Sequence, residues 1–438
     1  MQTAGLSLDQ APPLDVPARF FLTAPLMIIV AGVVALITGS GPWASPWYLQ
    51  TMGWAHLGTL GVIGFIMMGA LYQMVPVVAG APVPLIKLAK LVHAFLLLGL
   101  IGMQLGFYDS SIMGMKLGVH GMMTAMLLFV LPVGYGLIIA PMKDPTVWGM
   151  RLAFVGFLAA AVLGFLLARG HYAGSFPAAR TLLLQVHFNL ALLTWVGGLI
   201  VAVSWQVVPM FYLTPMPTTG RKNAMLIAIA ISLVALLAVL WIADATSRTV
   251  LIAAAPAAVV VWVIHPISTL RMLRLRKRPR PDGSLLFWRA GLMVGLTLIP
   301  LGLIAHFSDQ ARWSMLWGWW AIWGWGGLIV HGMLTRIVPF LVWFHRMSPL
   351  VGLQPVPSMR GLLAQKNIKL GLWLHLASLI CGSIGMLSPT DWLTASTGGL
   401  LIATGMVLMH SLIHVLQQFP PPEPNSTPLA PNSTPSAS

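Results

Sequence analysis

Charge is scarce in this sequence, carboxylates most of all, and there is a single cysteine. Only 8% of the 438 residues are charged, while 58% are hydrophobic. A soluble domain cannot hide that much apolar surface, so the composition excludes an ordinary soluble fold and leaves an integral membrane protein. Cys381 alone excludes an intrachain disulfide framework or a cysteine-based metal site. The nine carboxylates, Asp9, Asp15, Asp109, Asp144, Asp244, Asp282, Asp309, Asp391 and Glu423, all fall in tails, loops or span ends. Proton-coupled transport through mid-membrane acids therefore has no obvious residues to use. Alternation of the β-barrel kind is absent, which leaves helices as the way to satisfy the backbone in lipid. No basic flank precedes a short apolar core at the N-terminus, so the first apolar run is read as an anchor and not as a cleaved signal.

What is present is a series of apolar runs, each near the roughly 20 residues a helix needs to cross a bilayer. They lie at about 18–40, 50–79, 88–107, 112–140, 147–168, 181–213, 223–243, 248–270, 285–306, 317–344, 368–388 and 395–418. The expectation is an all-α integral membrane protein with twelve transmembrane helices over residues 18–418. A short N-terminal cytoplasmic segment, 1–17, precedes them. A Pro/Ser/Thr/Asn-rich tail, 419–438, follows and is expected to be disordered. The net charge of +15 is distributed unevenly. Loops after even-numbered spans carry most of the basic residues, including the run "RMLRLRKRPR" at 271–280. Loops after odd-numbered spans carry Arg169, Arg180, Arg248 and Arg312, with Lys116 at a helix start. That asymmetry predicts an inner-membrane protein with both termini cytoplasmic. It also makes the lipid bilayer, and not nucleic acid, the partner of the positive charge. The basic run is either a topology signal alone or a contact for anionic headgroups.

A small signature recurs. "GALYQMVP" at 69–76 is echoed by "WQVVP" at Trp205–Pro209 and by "TRIVP" at Thr335–Pro339, with the prolines 133 and 130 residues apart. "WVGGLIV" at 195–201 and "WGGLIV" at 325–330 give a second echo. The signature closes spans 2, 6 and 10, so the period is four spans and the chain reads as three pseudo-equivalent four-helix units. Secondary transporters repeat in twofold fashion, which counts against that class. Each proline also ends or kinks its helix.

Twelve histidines take the place of buried acids, most of them inside spans. An imidazole in hydrocarbon needs a hydrogen-bond or metal partner. His56, His120 and His187 lie some 8–14 Å below the outer surface of spans 2, 4 and 6, counting about 1.5 Å per residue. His331 lies near the middle of span 10. His56 and His187 precede their "VP" prolines by 20 and 22 residues, so equivalent helices present imidazole at similar depth. Imidazole nitrogen is a natural ligand for haem iron or copper, and it is equally at home hydrogen-bonded to a carbonyl. His410 and His414, at i, i+4 spacing, can share a metal near the inner end of span 12. Trp323 and Trp325 reach deeper than an interfacial belt formed by Trp313, Trp317, Trp319 and Trp320.

The stretch "WAHLGTLGVIGFIMMGALYQMVPVVAGAPVP" at 54–84 resembles the second helix of the haem-copper oxidase subunit I superfamily, the cytochrome oxidase and nitric oxide reductase large subunits. That family has twelve spans in three arcs. The resemblance implies haem, with His56 as an axial ligand, His331 as its partner on span 10, and His187 as the counterpart of a metal ligand on span 6; His120 is a further metal candidate. It also implies electron transfer or chemistry on a diatomic gas, oxygen or nitric oxide, with a cytochrome c or similar subunit as electron partner and copper as a second metal. Departures are clear: "VHFNLALLTW" lacks a Glu and a Tyr beside its histidine, span 7 has no histidine, and span 10 has one. These features are also similar to the NnrS-type membrane proteins of nitric oxide metabolism. Two other readings stay open: a non-catalytic subunit or assembly factor that kept the scaffold, and a solute transporter using the deep Arg336.

Overall fold

The computed structural model describes residues 8–141, 144–177, 179–277 and 282–418; the expected disordered tail lies outside them. Twelve helices are long and apolar enough to span a membrane. In chain order they are α1 (Asp15–Thr38), α2 (Leu49–Ala79), α3 (Ile86–Tyr108), α4 (Ile112–Ile139), α5 (Pro145–Ala173) and α6 (Arg180–Tyr212). The second half comprises α7 (Thr219–Val239), α8 (Ser247–Arg274), α9 (Gly283–Phe307), α10 (Ala311–Leu350), α11 (Gln365–Leu387) and α12 (Asp391–Gln417). No strand occurs among the described residues. The protein is an all-α, multi-pass membrane protein.

The scarce polar residues do local work at the ends of these helices. Ser111 caps α4 by accepting from the Gly114 amide at 3.0 Å. Asp144 caps α5 at the Thr146 amide, 2.8 Å, with Pro145 at the first helical position. Asp282 caps α9 at the Leu285 amide, 3.1 Å. Each satisfies backbone donors that lipid cannot.

Burial separates the helices into two sets. In α2, α6 and α10 the most apolar stretch is 89%, 72% and 78% buried, against 22–56% in the other nine. The three helices that carry the "VP" signature are therefore the inner ones. Around them, α3 packs on α4, α7 on α8 and α11 on α12, and α1 lies along α12 to close the ring. Lipid gives helices no hydrophobic reason to associate, so close packing has to hold them. At Gly118 of α4 a Cβ would stand 2.3 Å from the Met103 amide nitrogen of α3, and at Gly32 of α1 it would stand 2.5 Å from the Gly398 carbonyl oxygen of α12. Only glycine permits those two crossings.

The repeat is also written in the backbone. Each inner helix widens into an eight-residue π-helical segment, Leu57–Gly64, Leu190–Gly197 and Trp320–Gly327, starting 133 and 130 residues apart. These are the same intervals that separate the prolines. Such widenings are rare and concentrate at functional sites. At two of them the inner helices touch: a Cβ on Gly58 would meet Ile322 at 2.9 Å, and one on Gly326 would meet Ile63 at 3.0 Å.

Candidate functional site

His56 is the last residue before the first π-helical segment. Its Nδ1 lies 2.7 Å from the Met52 carbonyl one turn back, and its ring stacks on Phe107 of α3 at 5.6 Å. His187 sits three residues before the second π-helical segment, and its Nδ1 lies 2.8 Å from the Ala160 carbonyl of α5. Gly164 of α5 leaves room for that ring, since a Cβ there would be 2.9 Å from His187 Cε1. A carbonyl oxygen only accepts, so in both imidazoles the proton is placed on Nδ1 and the lone pair is left on Nε2. Metal-binding histidines are commonly held in this way, with the outer nitrogen oriented by a carbonyl.

Both rings are half-buried. His171, in the last turn of α5, shares the Phe107 ring with His56. Its ring meets Phe107 edge-on at 5.8 Å and Phe176 at 4.9 Å, and Arg180 lies over Phe176 at 3.9 Å. Beside them, Gln104 of α3 has both side-chain amide atoms buried and unbonded among the described residues. A Cβ on Gly53, one helical turn before His56, would be 2.9 Å from its Oε1. The cluster thus joins α2, α3, α5 and α6 at one end of the bundle. His171 is absent from the sequence-derived candidates; no motif or spacing marks it, and only the packing of α5 against Phe107 brings it in.

The structure does not bring His331 to His56. Trp319 stacks on Trp54 at 5.1 Å, which sets the depth of α10 against α2. His331 follows Trp319 by twelve residues, about 18 Å along the helix. It is buried, with Nδ1 3.1 Å from Nδ1 of His375 on α11 and its ring 4.4 Å from Phe287. His375 Nε2 donates to the Trp323 carbonyl at 3.0 Å, so its Nδ1 accepts from His331. Trp323 lies flat on His375 at 3.7 Å and donates to Ser378 Oγ at 2.9 Å. Trp319 is not interfacial: it is buried and donates to the Leu379 carbonyl at 3.0 Å. His120 is exposed, with Nδ1 on the Lys116 carbonyl at 2.7 Å and its ring against Tyr172, and it makes no contact with His187 among the described residues. His410 and His414 stack on one another at 6.3 Å on an exposed face.

Arg336 has a partner the sequence does not suggest. Its Nη1 lies 3.2 Å from Asp282 Oδ2, and both side chains are buried. An arginine already neutralised by a carboxylate is less free to hold an anionic solute.

Among the described residues no three His, Cys, Asp or Glu side chains converge on one point. The Nε2 atoms left free on His56 and His187 are the donor type that would hold haem iron or copper. Neither a protein-family model nor a curated protein matches this chain.

Proposed function

We propose that this protein is a haem-binding membrane protein of electron transfer or diatomic gas chemistry, with His56 and His187 as the imidazoles that hold the cofactor. The supporting observation is the matched pair: repeat-equivalent helices each present a half-buried imidazole whose Nδ1 proton is committed to a carbonyl. The fit rests on that donor chemistry and on the unbonded amide of Gln104 beside it. Haem when bound would supply a reversible one-electron couple, and chemistry on a small gas would require one of the two imidazoles to give up its place. The chain's own residues orient the imidazoles, exclude water with Phe107, and place His171 as a nearby proton acceptor. Copper held by the same two nitrogens is the alternative metal. A cytochrome c or comparable electron-transfer subunit is the proposed partner, and both termini are proposed to be cytoplasmic.

A pyridine haemochrome assay and metal analysis on purified protein test this reading. About one haem per chain is expected, with the content reduced but not abolished in His56→Ala and in His187→Ala, where a single imidazole remains to hold it. Folded protein without pigment or metal would reduce the molecule to a scaffold, the non-catalytic subunit reading.

A further inference from the structure

The bundle end that carries the basic loops has a cleft of about 410 Å³ between the α6–α7 loop and the last turns of α8. Its rim is cationic. Arg221 and Arg271 both line it and both are exposed. The ion pairs among the described residues are Arg19–Asp15, Lys222–Asp144 and Arg336–Asp282, so neither rim arginine is neutralised by a carboxylate. Its walls are apolar, formed by Met216, Ile264 and Met272, with Ser268 the polar side chain between them. The loop is pinned in place: Leu213, at φ 54°, turns the chain out of α6, and its carbonyl accepts from the Lys277 amide at 3.1 Å.

We infer that this cleft binds the headgroup and upper acyl chains of an anionic phospholipid. Arginine presents a planar fork that suits phosphate oxygens, and two unpaired forks on one rim need a counter-charge. Arg271 and Ile264 are seven residues apart on one helix, about 10 Å, enough to reach past the roughly 5–8 Å polar layer of one leaflet to the acyl chains. Ile264 and Ile267, 41% and 37% exposed, continue the apolar wall on to the outer surface of α8. A free phosphate would satisfy the arginines but leave that wall uncovered. Lipid is the occupant that covers both.

Native mass spectrometry of the full-length protein in neutral detergent tests the inference, using phosphatidylglycerol, phosphatidylcholine and inorganic phosphate as separate probes. Phosphatidylglycerol is expected to be retained in preference to phosphatidylcholine. With each arginine near a surface contributing about 1 kcal/mol, the Arg221→Gln/Arg271→Gln variant should bind it about 30-fold more weakly. Ser268→Phe keeps both charges and fills the cleft, and should cause a comparable loss even if the arginine variant fails to fold. Equal retention of the two lipids, competition by millimolar phosphate as strong as by phosphatidylglycerol, or full binding by Ser268→Phe would each overturn the assignment.

Discussion

Replacing Asp282 by Asn separates two jobs that one carboxylate performs. Asn caps a helix as well as Asp does, so the bond to the Leu285 amide survives. What disappears is the charge facing Arg336 at 3.2 Å. Removing one partner of a buried ion pair costs about 3–5 kcal/mol, because the other is left uncompensated. Here the cost should fall near the lower end. Arg336 Nη2 keeps the Phe211 carbonyl at 3.4 Å, and the guanidinium stays over the Phe211 ring at 5.4 Å. The neighbouring cavity, lined by Ser284, Thr335 and Arg360 among others, also has room for about one water. Asp282→Asn is therefore expected to lose about 3 kcal/mol. Asp282→Asn/Arg336→Met removes both charges at similar volume and should recover most of it. Reversible unfolding in mixed micelles, titrated with denaturing detergent, measures all three variants and the coupling between them. A loss below about 1 kcal/mol in the single variant, or a double variant no more stable than the single, would refute the argument that the pair is buried and interdependent.

Two other substitutions probe the packing. Gly118→Ala forces the α3–α4 crossing apart at the Met103 backbone and should cost about 1–3 kcal/mol, while Gly399→Ala, with nothing within 4 Å, should be neutral or slightly stabilising; thermal unfolding of the two side by side checks both. Gly164→Ala pushes on the His187 ring without removing it. It should shift the absorption bands of the bound cofactor while leaving its content near wild type, and an unchanged spectrum would place His187 outside the site.

The architecture was legible because it depends on one-dimensional quantities. Apolar runs marked all twelve spans, and the "VP" intervals marked a period that the π-helical segments share. Depth was legible for the same reason, since it is a residue count along a helix. Which way a side chain faces was not. The inner helices are apolar on every side, so periodicity says little about their orientation. His331 turns to His375, and His56 instead meets His171 across the Phe107 ring. Asp282 reads as a loop residue until the fold carries it to Arg336, 54 positions along the chain. Trp319 likewise reads as part of an interfacial belt, but its ring is enclosed between Trp54 and Trp323.

Counting the imidazoles bound to the metal tests the central claim most directly. Electron paramagnetic resonance and near-infrared magnetic circular dichroism of the oxidised protein can report that number. Two nitrogen ligands are expected in the wild type and in His331→Ala, and one in His56→Ala and His187→Ala. An unchanged pair of ligands in His187→Ala, together with loss of one in His331→Ala, would contradict the account and restore α2 and α10 as the helices that share the cofactor.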